Sequence, residues 1–388
     1  MLRIWRFVAY STKSKMTPTV TPLHAYAACA QGAWLVDIRE PAETNLGYAQ
    51  GARLIPSAVL VDELLRLALD KATPILLICQ RGVRSNAAAQ ALAAVGFSAV
   101  QSVAGGSLAW ESAGLPWQSV GTLSAPERQR YSRQLILPEL GLSGQEKLKR
   151  AKVILIGAGG LGSPASLYLA AAGVGTLAIC DGDALDLSNL HRQIVHRTDA
   201  IGMAKTRSAA AQLQGLNPLT RVLELPALDA SNIDELLPAF DIVIDGSDNF
   251  ATRFLVADAC VKHKKPLVYG AVLRFDGQVS VFLGPSDQCG QAPCYRCLFP
   301  APPPPEHAPS CAQAGVLGVV PGVIGTLQAT EAIKLITGIG SSLSGRLLLF
   351  DAKSMRFREI SIPRDPNCPS CAPGAAISYA VNASYCEG

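Results

Sequence analysis

Two short cysteine pairs, Cys294-Tyr-Arg-Cys297 and Cys368-Pro-Ser-Cys371, stand at either end of a long stretch of chain. C-x-x-C spacing brings two thiolates to one metal ion, and two such pairs complete a tetrahedral cage of four sulfurs. A fold that closes this cage must bring distant parts of one domain together. One pair alone would read equally as a redox dithiol, and four scattered cysteines as core. The doubled spacing favours a structural Zn2+. Because a closed four-ligand site has no open coordination position, the chemistry is expected elsewhere.

The chain is long for one domain and comfortable for two, with 388 residues of which 49% are hydrophobic and 16% charged. No uninterrupted apolar run is long enough to cross a bilayer, so no membrane partner is expected. The net charge of +4 is concentrated at one end: Arg3, Arg6, Lys13 and Lys15 lie in segment 1–15, which has no acid. Without those four, the 34 Lys and Arg fall to the 30 of Asp and Glu, and a neutral body carries no nucleic-acid footprint. Segment 1–15 lacks a small-residue cleavage site and makes a poor signal peptide. A transit peptide is one account of it; translation from Met16 is the simpler. Eleven cysteines without a signal peptide suit a reducing compartment, so a cytoplasmic location is expected.

Residues 1–19 read as an extension, 20–120 as a first domain, 121–375 as a second and 376–388 as a tail. In the first, 33–39 and 74–79 are strand candidates, 85–96 is a helix capped by Ser85 and ended by Gly96, and 97–103 is a further strand before the Gly105-Gly106 turn. Strands alternating with helices imply an α/β fold with a parallel sheet. The second domain opens with a helix at 145–151 and a strand at 152–157. Gly157-Ala-Gly159-Gly160-Leu-Gly162 follows, then a small-residue helix with Pro164 in its first turn. Strands are expected at 176–181, 240–248 and 266–271. Segment 300–310 is a polyproline stretch.

Cys79-Gln-Arg81-Gly82-Val-Arg84-Ser85 runs from a strand end into a helix start. Helix-start amides together with Arg81 and Arg84 would favour an anionic sulfur there, and Gly82 permits the tight turn. A buried strand-end cysteine beside two solvated arginines is the plainer reading; the α/β setting favours chemistry. The loop resembles that of the rhodanese family, C-x-x-G-x-R-S, over roughly residues 20–118. Asp37-Ile-Arg39-Glu-Pro and Gly105-Gly106-Ser-Leu-Ala-Trp110 match its flanking motifs, while Tyr48 stands where the family often has His. A related phosphatase cradle has one more residue between its cysteine and arginine, so transfer of a single sulfur fits the shorter loop better.

A G-x-G-x-x-G turn between strand and helix cradles phosphates, and Asp181, ending the next strand, is placed for a ribose hydroxyl. NAD, FAD and ATP folds share that much. The sequel is more discriminating: Leu187-Ser188-Asn189-Leu-His-Arg192-Gln193, then Lys205, then Ser247-Asp248-Asn249. Arg192 and Lys205 could neutralise a triphosphate and Asp248 could hold Mg2+. Together these residues resemble the ThiF, MoeB and ubiquitin-activating family, over roughly residues 126–373 and including both cysteine pairs. The resemblance implies a Rossmann-like adenylylating domain in which Gly157, Gly159, Gly160, Gly162, Asp181, Ser188, Asn189, Arg192, Gln193, Lys205, Asp248 and Asn249 line ATP. It implies that Arg133, in Arg130-Tyr-Ser-Arg133-Gln, reaches the ATP of a partner subunit in a homodimer. It also places Cys311 where some members bond covalently to their carrier.

The two resemblances imply one sequential reaction. The second domain would adenylylate the terminal glycine of a small ubiquitin-like sulfur carrier ending in Gly-Gly. Cys79, loaded as a persulfide by thiosulfate or a cysteine desulfurase, would then supply sulfur to give the carrier thiocarboxylate. The expected setting is molybdopterin biosynthesis with a MoaD-type carrier; the same chemistry on the ThiS-type thiamine-thiazole carrier is the alternative. An NAD-dependent oxidoreductase with a non-catalytic rhodanese-like binding module is the alternative of another class.

Overall fold

A computed structural model describes residues 18–119, 121–287, 290–303, 315–377 and 379. The chain divides into two compact units, Met1–Leu142 and Ser143–Gly388.

In the first unit, β1 (Thr19–Val20), β6 (Val100–Val103), β5 (Ile75–Ile78), β2 (Trp34–Asp37) and β4 (Arg53–Leu54) form one parallel sheet in that order. A separate antiparallel pair joins β3 (Gly47–Ala49) to β7 (Trp117–Ser119). Ile75-Leu-Leu-Ile78 is apolar throughout because a parallel strand is covered on both faces. Ile75 and Leu77 pack with Leu64, Ala89 and Leu92 on one side, and Leu76 and Ile78 with Ala25 and Trp110 on the other. The expected parallel α/β domain is therefore present. The helix after β5 differs in one respect: it spans Val83–Ala94 with Gly82 as its N-cap at φ +91°. Ser85 thus lies inside the first turn and does not cap the helix, which leaves its hydroxyl to the loop.

The second unit holds eight strands in the order β10 (Arg221–Leu225), β9 (Thr176–Cys180), β8 (Lys152–Ile156), β11 (Ile242–Asp245), β12 (Leu267–Leu273), β13 (Asp276–Phe282), β14 (Arg346–Asp351), β15 (Arg356–Ser361). The first five run parallel and the last four form an antiparallel meander. Successive strands step outward from β8 on one side and then resume at β11 on the other. That reversal opens a crevice at the carboxyl ends of β8 and β11, where open α/β sheets bind ligands. The opening helix spans Gly141–Arg150, and the small-residue helix Gly162–Ala172. Strands β13 to β15 and a helix at Val319–Thr337 were not anticipated. By length and composition this helix is apolar enough to cross a membrane. It lies instead against the helix Gly162–Ala172 and strands β12 and β13, and its buried Gln328 donates to the Asp245 carbonyl at 2.7 Å.

Candidate functional site

The sulfur of Cys79, at the end of β5, is buried and held by the loop that follows it. The backbone N–H groups of Gly82 and Ser85 donate to Sγ at 3.1 and 3.3 Å, and the Ser85 hydroxyl lies 3.3 Å away. Burial alone would raise the thiol pKa. The Ser85 hydroxyl and the amides of Ser85, Arg81 and Gly82 outweigh it, so the pKa falls below the ordinary value. Ser102 on β6 had no signal in the local pattern, yet its hydroxyl is 2.7 Å from that of Ser85 and 3.3 Å from the Gly82 carbonyl. The Gly105-Gly106 turn closes the loop from the other side. A Cβ on Gly106 would stand 2.0 Å from the Cys79 carbonyl, which instead accepts from the Ser107 N–H at 2.7 Å.

The arginines of the loop do less at the sulfur than the sequence suggests. Arg84 makes a bidentate pair with Glu43 at 2.6 and 2.7 Å, and Arg81 is exposed. Amides and a hydroxyl, rather than guanidinium groups, are the donors on Sγ. Arg39 is buried with Asp37 at 2.7 Å and also donates to the Gly47 carbonyl, tying β2 to β3.

At the crevice of the second unit the glycine turn is fixed on both sides. Gly162 begins its helix so close to Gly157 that a Cβ would stand 1.9 Å from the Gly157 carbonyl oxygen. The Ala158 N–H donates to Asp181 Oδ2 at 2.8 Å, while Asp181 Oδ1 accepts from the Asp183 N–H at 2.9 Å. Buried His196 bonds the Ala158 carbonyl through Nε2 at 2.9 Å, so Nε2 carries the proton and Nδ1 accepts from the Ser208 hydroxyl at 2.9 Å. Burial holds this imidazole below its ordinary pKa, which keeps it neutral at the loop.

Around this turn the structure gathers most of the expected ATP residues. Gln193 is buried beside Gly159, with its Oε1 unpartnered, and the Arg192 side chain passes Gly160. The segment Leu187–Asn189 is a tight turn in which Asp186 accepts from the Ser188 N–H. Arg192 Nη1 donates to the Ser188 carbonyl at 3.3 Å. Lys205 is buried and paired at 2.6 Å with Asp183, an exposed acid of the Asp181-Gly-Asp183 segment to which the motif assigns no role. Gly246, just before Ser247, abuts Gly157, which brings Asp248 to the same edge of the sheet, where it is exposed. The side-chain oxygen of Asn249 caps the helix Phe250–Lys262 through the Thr252 N–H at 2.8 Å, leaving only its amide for a ligand. Loop amides, a helix N-terminus and two cations make a site for a polyanion. Arg133 lies exposed on the helix Ser132–Leu135 of the first unit. Cys311 falls outside the described residues, as do Cys289, Cys386 and segment 304–310.

The four cysteines of the two pairs converge, with all Sγ atoms within 4.8 Å of one another and three neighbouring separations of 3.9, 3.4 and 3.5 Å. A tetrahedron with metal–sulfur bonds of ~2.3 Å has edges of ~3.8 Å, so the donor set fits a zinc-sized ion. The mutual Cys294–Cys297 hydrogen bond is the main cause that pushes the Cys294 thiol up and the Cys297 thiol down. Four thiolates this close cannot coexist without a cation. The second of the two residues inside each C-x-x-C anchors the knuckle to the helix Phe250–Lys262. Arg296 pairs bidentately with buried Asp258 at 2.6 and 2.8 Å, and the Ser370 hydroxyl donates to the same carboxylate at 2.6 Å. Burial pushes Cys180 up to about 12 and raises Cys260 too, as suits core thiols.

Residues 131–370 match the ThiF family and residues 21–113 the rhodanese-like domain. The chain belongs to the ThiF family. It is a ThiF-family enzyme joined to a rhodanese-like module, as the motifs led us to expect. It is 52% identical over 246 residues to a sulfur carrier protein adenylyltransferase of Thermus thermophilus, covering 63% of this chain and 91% of that protein. It is 50% identical over 253 residues to the probable adenylyltransferase/sulfurtransferase MoeZ of Mycobacterium tuberculosis H37Rv, covering 65% of this chain but only 64% of MoeZ. A crystal structure of E. coli MccB with AMPCPP and MccA superposes with a TM-score of 0.54 at 25% identity, covering 63% of this chain and 74% of that one.

Proposed function

We propose that this chain adenylylates the C-terminal glycine of a small ubiquitin-like sulfur carrier and then replaces the activated oxygen with sulfur carried by Cys79. The observation that supports this reading is the presence, on one chain, of a thiol cradle that favours the anion and a polyanion cradle of the ThiF kind. The carrier carboxylate attacks the α-phosphorus of ATP, forming a C–O–P bond and expelling pyrophosphate. No protein nucleophile is needed, since the attacking group is already anionic; positioning and charge neutralisation supply the rate. Lys205 would leave exposed Asp183 for a phosphate, with Arg192 beside the glycine turn and Asp248 holding Mg2+. Asp181 would accept from the ribose while still bracing Ala158.

In the second step a Cys79 persulfide, formed from thiosulfate or a desulfurase, attacks the carrier carbonyl carbon and AMP leaves. The acyl disulfide so formed releases the thiocarboxylate when a second thiol attacks Cys79 Sγ, which is left in a disulfide with that thiol. Arg133, reaching a partner subunit's ATP in a homodimer, and Cys311, as the second thiol or a carrier-linked residue, complete the reading. Zn2+ held by Cys294, Cys297, Cys368 and Cys371 would be structural, closing the knuckle and leaving the chemistry alone. We take the reading down to a molybdopterin-type carrier, with the thiamine-thiazole carrier as the other arm of the test.

ATP–pyrophosphate exchange with purified full-length protein and each carrier tests the first step. Exchange dependent on one carrier supports the assignment and selects the pathway. Absence of exchange with both carriers, in zinc-replete protein, overturns it.

A further inference from the structure

The first unit contains a cavity of about 490 Å3 lined both by Gln80 and Arg84 of the Cys79 loop and by the segment that carries Arg133. That volume lies in the range of sites for small organic ligands and peptides, ~300–1,000 Å3. A sulfur-donor anion such as thiosulfate would displace only three or four waters, at ~30 Å3 each, and leave most of it unfilled. Leu46, Trp117 and Ile136 give it apolar walls.

Its charges are unequal in availability. Arg39 is committed to Asp37, Arg84 to Glu43 and Arg128 to Glu111. Among the described residues Arg133 alone of the four lining arginines has no carboxylate partner. An uncommitted cation and residues of the sulfur loop in one lining suit an extended occupant with an anionic end. Small apolar-walled cavities of this kind accept glycine-rich chain, whose backbone has no side chains to exclude.

We propose that this cavity binds the extended C-terminal tail of the sulfur carrier, with Arg133 pairing to its terminal carboxylate or thiocarboxylate. The proposal rests on the sulfur-transfer reading and adds to it a subsite beside Cys79 in which the tail is held while ATP is absent. It also gives the rhodanese-first domain order a consequence, because the Arg133 segment follows that module directly in the chain.

Fluorine NMR of full-length protein labelled with 5-fluorotryptophan tests it locally. The Trp117 resonance is assigned by its loss in Trp117→Phe, and a short peptide ending in Gly-Gly is titrated as free acid and as C-terminal amide. The free acid is expected to shift Trp117 and the amide to bind about three- to tenfold more weakly, the range for a partly exposed charge-assisted pair. Arg133→Gln should erase that preference, Arg133→Lys should keep part of it, and Ala42→Trp, which fills the cavity, should abolish the shift. An unmoved Trp117, equal binding of acid and amide, a preference that survives Arg133→Gln, or a shift produced by AMP or thiosulfate in place of the peptide would each overturn it. Because this titration needs no ATP, its failure is separable from that of carrier-dependent pyrophosphate exchange.

Discussion

Replacing Ser85 with Ala should slow Cys79 without disturbing the fold around it. Ser85 is fully buried and its hydroxyl has one proton to give. Three acceptors lie in reach: Cys79 Sγ at 3.3 Å, the Gly82 carbonyl at 3.1 Å and Ser102 Oγ at 2.7 Å. When the sulfur is ionised the proton goes to Sγ, and Ser102 donates in turn to Ser85. A hydrogen bond to a charged acceptor contributes ~1.5–3 kcal/mol. The Gly82 and Ser85 amides remain in the variant, so the lower end applies, a loss of about tenfold in thiolate population near neutral pH. A more basic thiolate is also more nucleophilic, with a Brønsted slope of ~0.4–0.5, which restores about threefold. The net expectation is alkylation of Cys79 slowed roughly three- to fourfold, with its pH midpoint moved upward. Ser102→Ala should shift both in the same direction by less, because it acts through Ser85. Iodoacetamide labelling followed by mass spectrometry of the Cys79 peptide reads both quantities. A Ser85→Ala protein that alkylates at the wild-type rate with an unchanged midpoint would refute the reasoning.

Asp258→Ala strands Arg296 and Ser370 together and should cost ~3 kcal/mol, the lower end for breaking a buried pair, since Arg296 is partly exposed. That is about 6–12 °C in Tm for a unit of this size, with loss of bound zinc in elemental analysis; an unchanged Tm and zinc content would contradict it. Because the folded pKa of His196 is depressed, its contribution to stability is complete above the unfolded value of ~6.5 and declines as the pH falls toward the folded value. Wild-type Tm should therefore fall more steeply across mildly acidic pH than that of His196→Gln, and parallel scans would refute this. Lys205→Ala should lower pyrophosphate exchange by about 10²–10³, the loss typical of one electrostatic stabiliser; a smaller effect would leave Lys205 merely the partner of Asp183.

The parts of both sites that were legible in the sequence are those built from neighbours along the chain. Cys79 and its donors span seven residues, and the glycine turn with Asp181 lies on adjacent strands, so spacing alone carries the geometry. The parts that were not legible are assembled by the fold. Asp258 meets Arg296 and Ser370 at separations of 38 and 112 residues, and His196 meets Ala158 at 38. Ser102 reaches Ser85 only because β5 and β6 pair in parallel register. The guanidinium of Arg84 illustrates the opposite error: proximity in sequence suggested a role at sulfur, but Glu43 on another helix takes it. Strands β13 to β15 were not anticipated, and the outermost, β15, is exposed along its whole length and lacks a buried face to set a pattern.

The central claim is that one chain activates a carrier and then sulfurates it through Cys79. It is tested most directly by incubating the Gly-Gly-ended carrier with ATP, Mg2+, thiosulfate, a reducing thiol and either wild-type or Cys79→Ala protein, and weighing the carrier by mass spectrometry. The account predicts that wild type converts the carrier to the species in which one terminal oxygen is replaced by sulfur. Cys79→Ala should still release pyrophosphate yet leave the carrier mass unchanged. Sulfur incorporation undiminished in Cys79→Ala would contradict it.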